Sequence, residues 1–354
     1  MNERYVRFLD PELDFKAICT DFVSLRYTKK YCGAGEFECV LSSSSGVAVE
    51  PDDFALCGGE LYVVEKVSRS SLTGEITVCG RGALSLLSRR VVPLGFTRRR
   101  SVEAAACDLV RTYASSAFPA PIDVDTPEGS GAVALVIEAG DLLERVVRLV
   151  SSVRKGITLT WDDTRGRFSF AVTGGVDRRL SNAGGNDVLF LSEGFGTVAG
   201  VSEVTDKSKY INRVTVRGSM TSDGTVLATT VSAADYDFPD GLDDREEELR
   251  EGYVKSGIGI TMFTHDDGEG NRVFDRTAYF DALRERGREE LALHRVSLSL
   301  EASLIASAAE SAEVGDICTL STPASDVGTV RVTELTYKYG GGRESCVARL
   351  LALG

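Results

Sequence analysis

Chemistry at neutral pH most often draws on histidine, cysteine or close pairs of carboxylates, and this chain offers few such arrangements. His265 and His294 are its whole imidazole supply, so a site built on two or three histidines is not expected. A cysteine–histidine nucleophilic pair would have to use one of these two, and His294 falls at a charged helix end, where a surface role is the expectation. The sequence contains no H-E-x-x-H, no G-x-S-x-G elbow and no Walker-type phosphate loop. The stretch His265-Asp266-Asp267-Gly268-Glu269-Gly270-Asn271 carries several oxygen ligands, as calcium loops do. It lacks the bidentate Glu that closes an EF-hand, so it reads as a polar hairpin turn, and the sequence leaves cation binding there open. Glu128, Glu138 and Asp141 could supply a carboxylate pair, but their spacing does not separate them from ordinary surface acids. Gly33 to Gly35 and Gly340 to Gly342 are too simple to cradle phosphates and read as turns. Cysteines 19, 32, 39, 57, 79, 107, 318 and 346 include no C-x-x-C pair and sit mostly in strand-like runs, the pattern of buried reduced thiols. No catalytic, cofactor-binding or metal-ligating residue is assigned, and no cofactor is expected.

The composition is that of a folded protein. A chain of 354 residues with 43% hydrophobic and 26% charged residues has room for several domains. A formal charge of −13 opposes nucleic-acid wrapping through phosphate contacts, so no sequence-specific nucleic-acid binding is expected. No apolar run approaches the roughly 20 residues that span a bilayer. The start, MNERYVRFLDPELDF, has no signal core, so no membrane anchor is expected and the chain reads as made and kept in a cytoplasm.

The elements that must carry any site are mainly strands. GTVRVTELTYKYGGGRESCVARLLAL, from Gly328 to Leu353, reads as a β-hairpin around three glycines. GGELYVVEKVSRSSLTGEITVCGRGALSLL, from Gly58 to Leu87, has the same plan, with Glu65 in the place of Glu334. Upstream, Val23-Ser24 leads through Lys29, Lys30 and Tyr31 to Phe37–Leu41, and Val201-Ser202 leads through Lys207, Lys209 and Tyr210 to Val214–Val216. One β unit is therefore used twice.

The first copy occupies residues 1–96, with strands at Phe22–Tyr27, Gly35–Leu41, Glu60–Val67 and Glu75–Cys79 and a helical turn at Ala83–Arg89. Residues 97–186 read as an α+β domain. Ser101 caps a helix burying Val102, Ala105, Ala106, Leu109, Val110 and Tyr113; Asp141 starts a second with Leu142, Leu143, Val146, Val147 and Val150 on one stripe; a hairpin joins Ile157–Trp161 to Phe168–Val172. Residues 187–236 and 295–354 form the second copy, in which Val296, Leu298, Leu300, Ala302 and Leu304 alternate with polar residues. Between them, 237–294 is a partly helical insertion. It holds the acidic run Asp243–Glu251 as a solvated helix face, a strand at Ile258–Phe263 and a helix at Thr277–Leu293. The expected fold class is α+β, mainly β: two similar small, tube-like β-barrel domains, an α+β domain and a partly helical insertion.

Several phrases in order carry a resemblance. They are GEFEC at Gly35–Cys39, ITVCGRGALSLLSRRVV at Ile76–Val92, RFSFAVTGGVDRR at Arg167–Arg179, FLSEGFGTVAGVSEVTDKSKYINRVTVRG at Phe190–Gly218, AEVGDICTL at Ala312–Leu320 and the terminal hairpin. Together they resemble the tail and baseplate hub proteins of bacteriophages: the siphophage tail-tip hub, the N-terminal hub of tail-associated lysins and the hubs of contractile tails. The resemblance implies two tube-like β-barrels per protomer, so that a homotrimer presents a ring of six and joins a six-fold tail tube to a three-fold tip. It implies a tail tube or distal tail protein above, tip, lysin or receptor-binding proteins below, and a channel through which DNA passes. The expected location is the virion tail tip, after assembly in the bacterial cytoplasm. Many such proteins continue into a lytic or adhesive extension, whereas this chain stops at Gly354, so those activities are expected from another polypeptide. Short strands leave edges that a closed ring can pair, and the acidic balance of the whole chain suits a channel through which DNA slides without sticking. The alternatives are a tail-tip peptidoglycan hydrolase and a β-rich binding module unrelated to tails.

Overall fold

The computed structural model describes residues 5–126, 131–238, 248–269, 271–295, 297–322 and 328–353. Two sets of strands dominate it. The first is β1 (Val6–Leu9), β2 (Phe15–Cys19), β3 (Phe22–Lys30), β4 (Glu36–Ser42), β5 (Phe54–Cys57), β6 (Glu60–Ser70) and β7 (Glu75–Gly82). The second is β8 (Phe190–Ser192), β9 (Val198–Asp206), β10 (Ser297–Leu304), β11 (Ile317–Ser321), β12 (Thr329–Gly340) and β13 (Arg343–Ala352). All join one 13-stranded sheet in the order β9-β10-β13-β12-β3-β4-β7-β6-β5-β1-β2, with β11 pairing both β12 and β8. The expected pair of barrels is thus two halves of a continuous, open sheet: among the described residues no strand pairing closes either half on itself.

The duplication is real in the topology. In chain order β1, β3, β4, β5, β6 and β7 correspond to β8, β9, β10, β11, β12 and β13, and in space β3-β4-β7-β6-β5-β1 repeats as β9-β10-β13-β12-β11-β8. The halves differ in that β1 meets β5 antiparallel while β8 meets β11 parallel. Two sequence matches shift. Val214–Val216, read as the counterpart of Phe37–Leu41, lies in Arg213–Met220, which pairs with Val226–Ser232 and Glu251–Lys255 in a separate three-stranded sheet; the counterpart of β4 is β10. Glu65 and Glu334 are also not equivalent. The β6–β7 ladder skips Glu65, whereas β12–β13 skips Thr333. A one-residue slip would turn every side chain to the wrong face, so burial rather than residue identity sets the register.

The middle of β6 shows why this sheet is apolar on both sides. Tyr62 and Val64 enter the core shared by the two halves, which also holds Tyr27, Phe37, Leu300, Val332 and Leu350. Leu61 and Val63 point the other way, into the core of the α+β part. Helices α1 (Val102–Tyr113) and α2 (Leu142–Ser151) cover that second face, and the hairpin Gly156–Asp162/Arg167–Thr173 completes it. Both helices start where capping side chains stand: Ser101 Oγ accepts from the Ala104 amide at 3.3 Å, and Asp141 Oδ1 from the Glu144 amide at 2.8 Å. A third core gathers the separate small sheet around α3 (Arg276–Leu293), with Tyr279 and Leu283 fully buried. The expected strand at Ile258–Phe263 is instead a 3₁₀ turn over Ile260–Phe263, which curls Met262 and Phe263 around that core, Phe263 edge-on to Tyr279. Of the acidic run, 243–247 lie outside the described residues and Glu251 opens a strand. Short helix α4 (Ala306–Ser311) links β10 to β11 where the 3₁₀ turn Ser43–Ser45 links β4 to β5.

Within the first half, the chain between β3 and β4 packs closely enough to demand glycine. A Cβ on Gly35 would lie 1.8 Å from the Thr28 carbonyl oxygen, a backbone atom that cannot swing aside. Gly35→Ala is expected to destabilise the protein by roughly 2–4 kcal/mol in urea unfolding. Gly257→Ala, where a Cβ meets open space, is expected to stay within about 0.5 kcal/mol of the parent.

Candidate assembly site at the junction of the two halves

The halves meet where β12 runs beside β3, from Glu334 opposite Lys30 to Gly340 opposite Ser24. The first part of β12 uses the same edge for β11, from Thr329 opposite Thr319 to Arg331 opposite Ile317. Alternation in Leu335-Thr336-Tyr337-Lys338-Tyr339 sets Leu335, Tyr337 and Tyr339 on one face. There Tyr337 stacks on Tyr27 at 4.9 Å with 20° between rings, and Tyr339 lies 6.2 Å from Tyr27. Tyr62 extends the cluster, 6.3 Å from Tyr27 and 5.3 Å from Phe37. The buried hydroxyls are satisfied: Tyr337 donates to the Ala309 carbonyl at 3.0 Å and Tyr62 to the Thr28 carbonyl at 3.3 Å. On the opposite face the hydroxyls of Thr28 and Thr336 meet at 3.1 Å. Burial pushes the Tyr27, Tyr62 and Tyr337 phenols far above their ordinary range, so they remain neutral. The cluster is a packing device and holds no acid–base pair.

Arg331, on the same strand, fastens the α+β part to this junction. It is buried, donates to the Arg154 carbonyl and to the Gly174 carbonyl at 3.1 Å, and holds its guanidinium 4.9 Å over the Tyr31 ring. Tyr31 in turn donates its hydroxyl to the Thr173 carbonyl at 2.9 Å and accepts the Ile157 amide at 3.0 Å.

A buried ion cluster ties the α+β part to the inserted part. Arg148 of α2 pairs with Glu290 of α3, and Arg286 meets Glu290 at 2.9 Å, Glu138 at 3.5 Å and Glu289 at 3.9 Å. Burial lifts the Glu289 carboxyl to about 7 against the pull of Arg286 and Arg148. For Glu290, burial also opposes ionisation, but the hydrogen bonds and charges of Arg148 and Arg286 outweigh it and hold its carboxyl below the usual range.

The residues that the sequence offered for chemistry are dispersed. His294 ends α3, with Nδ1 2.9 Å from the Glu290 carbonyl oxygen. His265 lies exposed on the small hairpin Thr264–Asp266/Arg272–Phe274. In the loop that follows, Asp266 accepts the Gly268 amide at 2.9 Å, and Asp267 accepts the Glu269 and Asn271 amides at 2.8 and 3.1 Å. These carboxylates close the turn, and no cluster of three or more metal-ligating side chains occurs among the described residues. Glu138 belongs to the ion cluster, Asp141 caps α2, and Glu128 lies outside the described residues. The eight cysteines are free thiols, six of them buried. The groove beside the junction, walled by Leu304, Ala309, Tyr337 and Cys346, brings in the carboxylates of Glu310 and Glu344 but neither histidine. What the sequence reading passed over was the tyrosine cluster, Arg331 and the ion cluster. The T-Y-K-Y alternation and the i, i+3, i+4 spacing of Arg286, Glu289 and Glu290 were the available signals.

This duplicated sheet with its covering α+β part is the fold of phage tail proteins. The structure superimposes on the tail protein from Neisseria meningitidis MC58 with a TM-score of 0.56, at 12% identity, over 98% of this chain and 96% of that one. The 43 kDa tail protein of prophage MuSo2 from Shewanella oneidensis gives 0.55 at 13% identity over 98% of both chains. Prophage tail protein gp18 from Listeria monocytogenes EGD-e gives 0.53 at 11% identity, over 99% of this chain and 94% of that one. No protein-family model and no curated protein matches the sequence. No helix among the described residues is long and apolar enough to cross a membrane.

The ion cluster makes stability depend on pH. Glu289 has a folded pKa above its unfolded value near 4.5, so its contribution is fully present below about pH 4.5 and is lost as pH rises through 7. The loss amounts to about 3 kcal/mol. Urea unfolding of Glu289→Gln between pH 5 and 8 is expected to lack this decline, while the parent chain shows it.

Proposed function

We propose that this chain is a non-enzymatic hub of a phage or phage-like tail tip. In this reading a homotrimer adapts a six-fold tail tube to a three-fold tip and forms part of the channel through which DNA passes. The observation that carries it is the duplication of one strand order inside a single sheet, on a chain whose fold matches phage tail proteins along nearly its whole length. Two equivalent walls per chain are what a trimer needs to imitate a sixfold ring.

Residues 1–96 supply one tube-like wall, and 187–206 with 295–354 the other. The α+β part at 97–186 and the inserted part form the outer or lower body. Arg213–Ser232 goes with the inserted part because its strands pair there. A tail tube or distal tail protein sits above, and tip, lysin or receptor-binding proteins sit below. The acidic balance, 53 Asp and Glu against 40 Lys and Arg, favours passage of DNA over its retention. The site of action is the virion tail tip, reached from assembly in the host cytoplasm. Satisfied phenols, capped carboxylates and dispersed histidines support a mechanical rather than a catalytic role.

Light scattering of the purified chain is expected to give the mass of a trimer, and a peptidoglycan zymogram is expected to remain uncleared. A chain that stays monomeric at all micromolar concentrations overturns the hub reading; clearing by this chain alone replaces it with the hydrolase.

A further inference from the structure

The internal junction is a template for a second one that is not made among the described residues of the chain. β12 pairs with β3, but their counterparts, β6 in the first half and β9 in the second, lie apart in the sheet. Bulges fix the equivalence residue by residue. Glu65 of β6 is skipped where Thr333 of β12 is, and Val23 of β3 where Ala199 of β9 is. β6 pairs with β5 only over Glu60–Val63, beyond which Lys66 and Ser68–Ser70 are exposed. β9 ends the sheet, with Ser202–Asp206 exposed and Val204 53% accessible.

We propose that these two edges form one interface between copies of this chain: Lys66–Ser70 of one pairs antiparallel with Ser202–Asp206 of the next, repeating the β12–β3 junction. Copying the internal register sets Lys66 opposite Asp206, Ser68 opposite Val204 and Arg69 opposite Glu203. Each cation on one edge then faces a carboxylate on the other, and a shift by one residue loses both matches. The edge of β6 is clear in the same way as that of β12. Arg69 occupies the place of Tyr337, and both reach the carbonyl of the segment that links the preceding strands: Arg69 to Val49 at 2.9 Å, Tyr337 to Ala309 at 3.0 Å. Glu50, 2.9 Å from Arg69, becomes a third member of the group.

The charges also select the partner. β6 against β6 sets cation against cation, and β9 against β9 sets carboxylate against carboxylate, so only the unlike edges associate. Such a head-to-tail contact generates a closed ring when its rotation closes. The inference rests on the ring-shaped hub proposed above and names its contact.

The full-length chain tests it. Arg69→Glu and Glu203→Arg are each expected to weaken trimer formation roughly tenfold or more in analytical ultracentrifugation, and the double exchange to restore it to within about threefold. Ser68→Cys combined with Val204→Cys is expected to give interchain disulfides on oxidation that neither single variant gives. A wild-type trimer indifferent to both charge reversals and lacking the cross-link overturns the pairing and leaves the hub standing. A wild-type chain that never trimerises overturns both.

Discussion

A β-strand carries hydrogen-bonding groups along both edges, and each buried edge must find a partner or lose stability. The structure depends on how β12 meets that demand. One edge lies along β13, while the other is divided between β11 and β3. The first part of the strand therefore belongs to its own half of the sheet, and the second part joins the two halves into one. Tyrosines on one face and the Thr28–Thr336 hydrogen bond on the other fill the join. An aromatic pair contributes about 0.5–1.5 kcal/mol beyond its buried area, so the cluster adds specificity to an interface already held by backbone pairing.

The other parts are fastened to this frame by buried arginines. Arg331 leaves the junction strand to bind two carbonyls of the α+β part, and Arg148 and Arg286 bind that part to the inserted one. A guanidinium suits the task because its several donors lie in one plane and remain charged at any working pH. Removing one partner from such a group leaves a buried charge uncompensated, which gives the connections between parts a strong geometric preference.

Much of the architecture was legible in the chain. The repeated hairpins, the capped helices at Ser101 and Asp141 and the helix ending near Leu293 follow from local periodicity and capping chemistry, which short-range sequence records. The errors had a common origin. Glu65 was matched to Glu334 and Val214–Val216 to β4 by residue type, whereas equivalence in a sheet is set by which partner lies alongside and where a bulge falls. The candidate chemistry dispersed for a similar reason: Glu138, Asp141 and Asp267 looked alike as carboxylates, but one pairs with an arginine, one caps a helix and one closes a turn.

The sequence by itself determined that a strand-built unit occurs twice and that helices interrupt and cover it. These are properties of residue type and spacing. Only the tertiary structure decided that the two copies share one sheet, that Tyr27 meets Tyr337 across more than three hundred residues, and that, among the described residues, β6 and β9 are left with open, oppositely charged edges. Strand pairing is non-local, since any exposed edge can accept any strand of suitable length, and the choice is made by burial on both faces of the completed sheet.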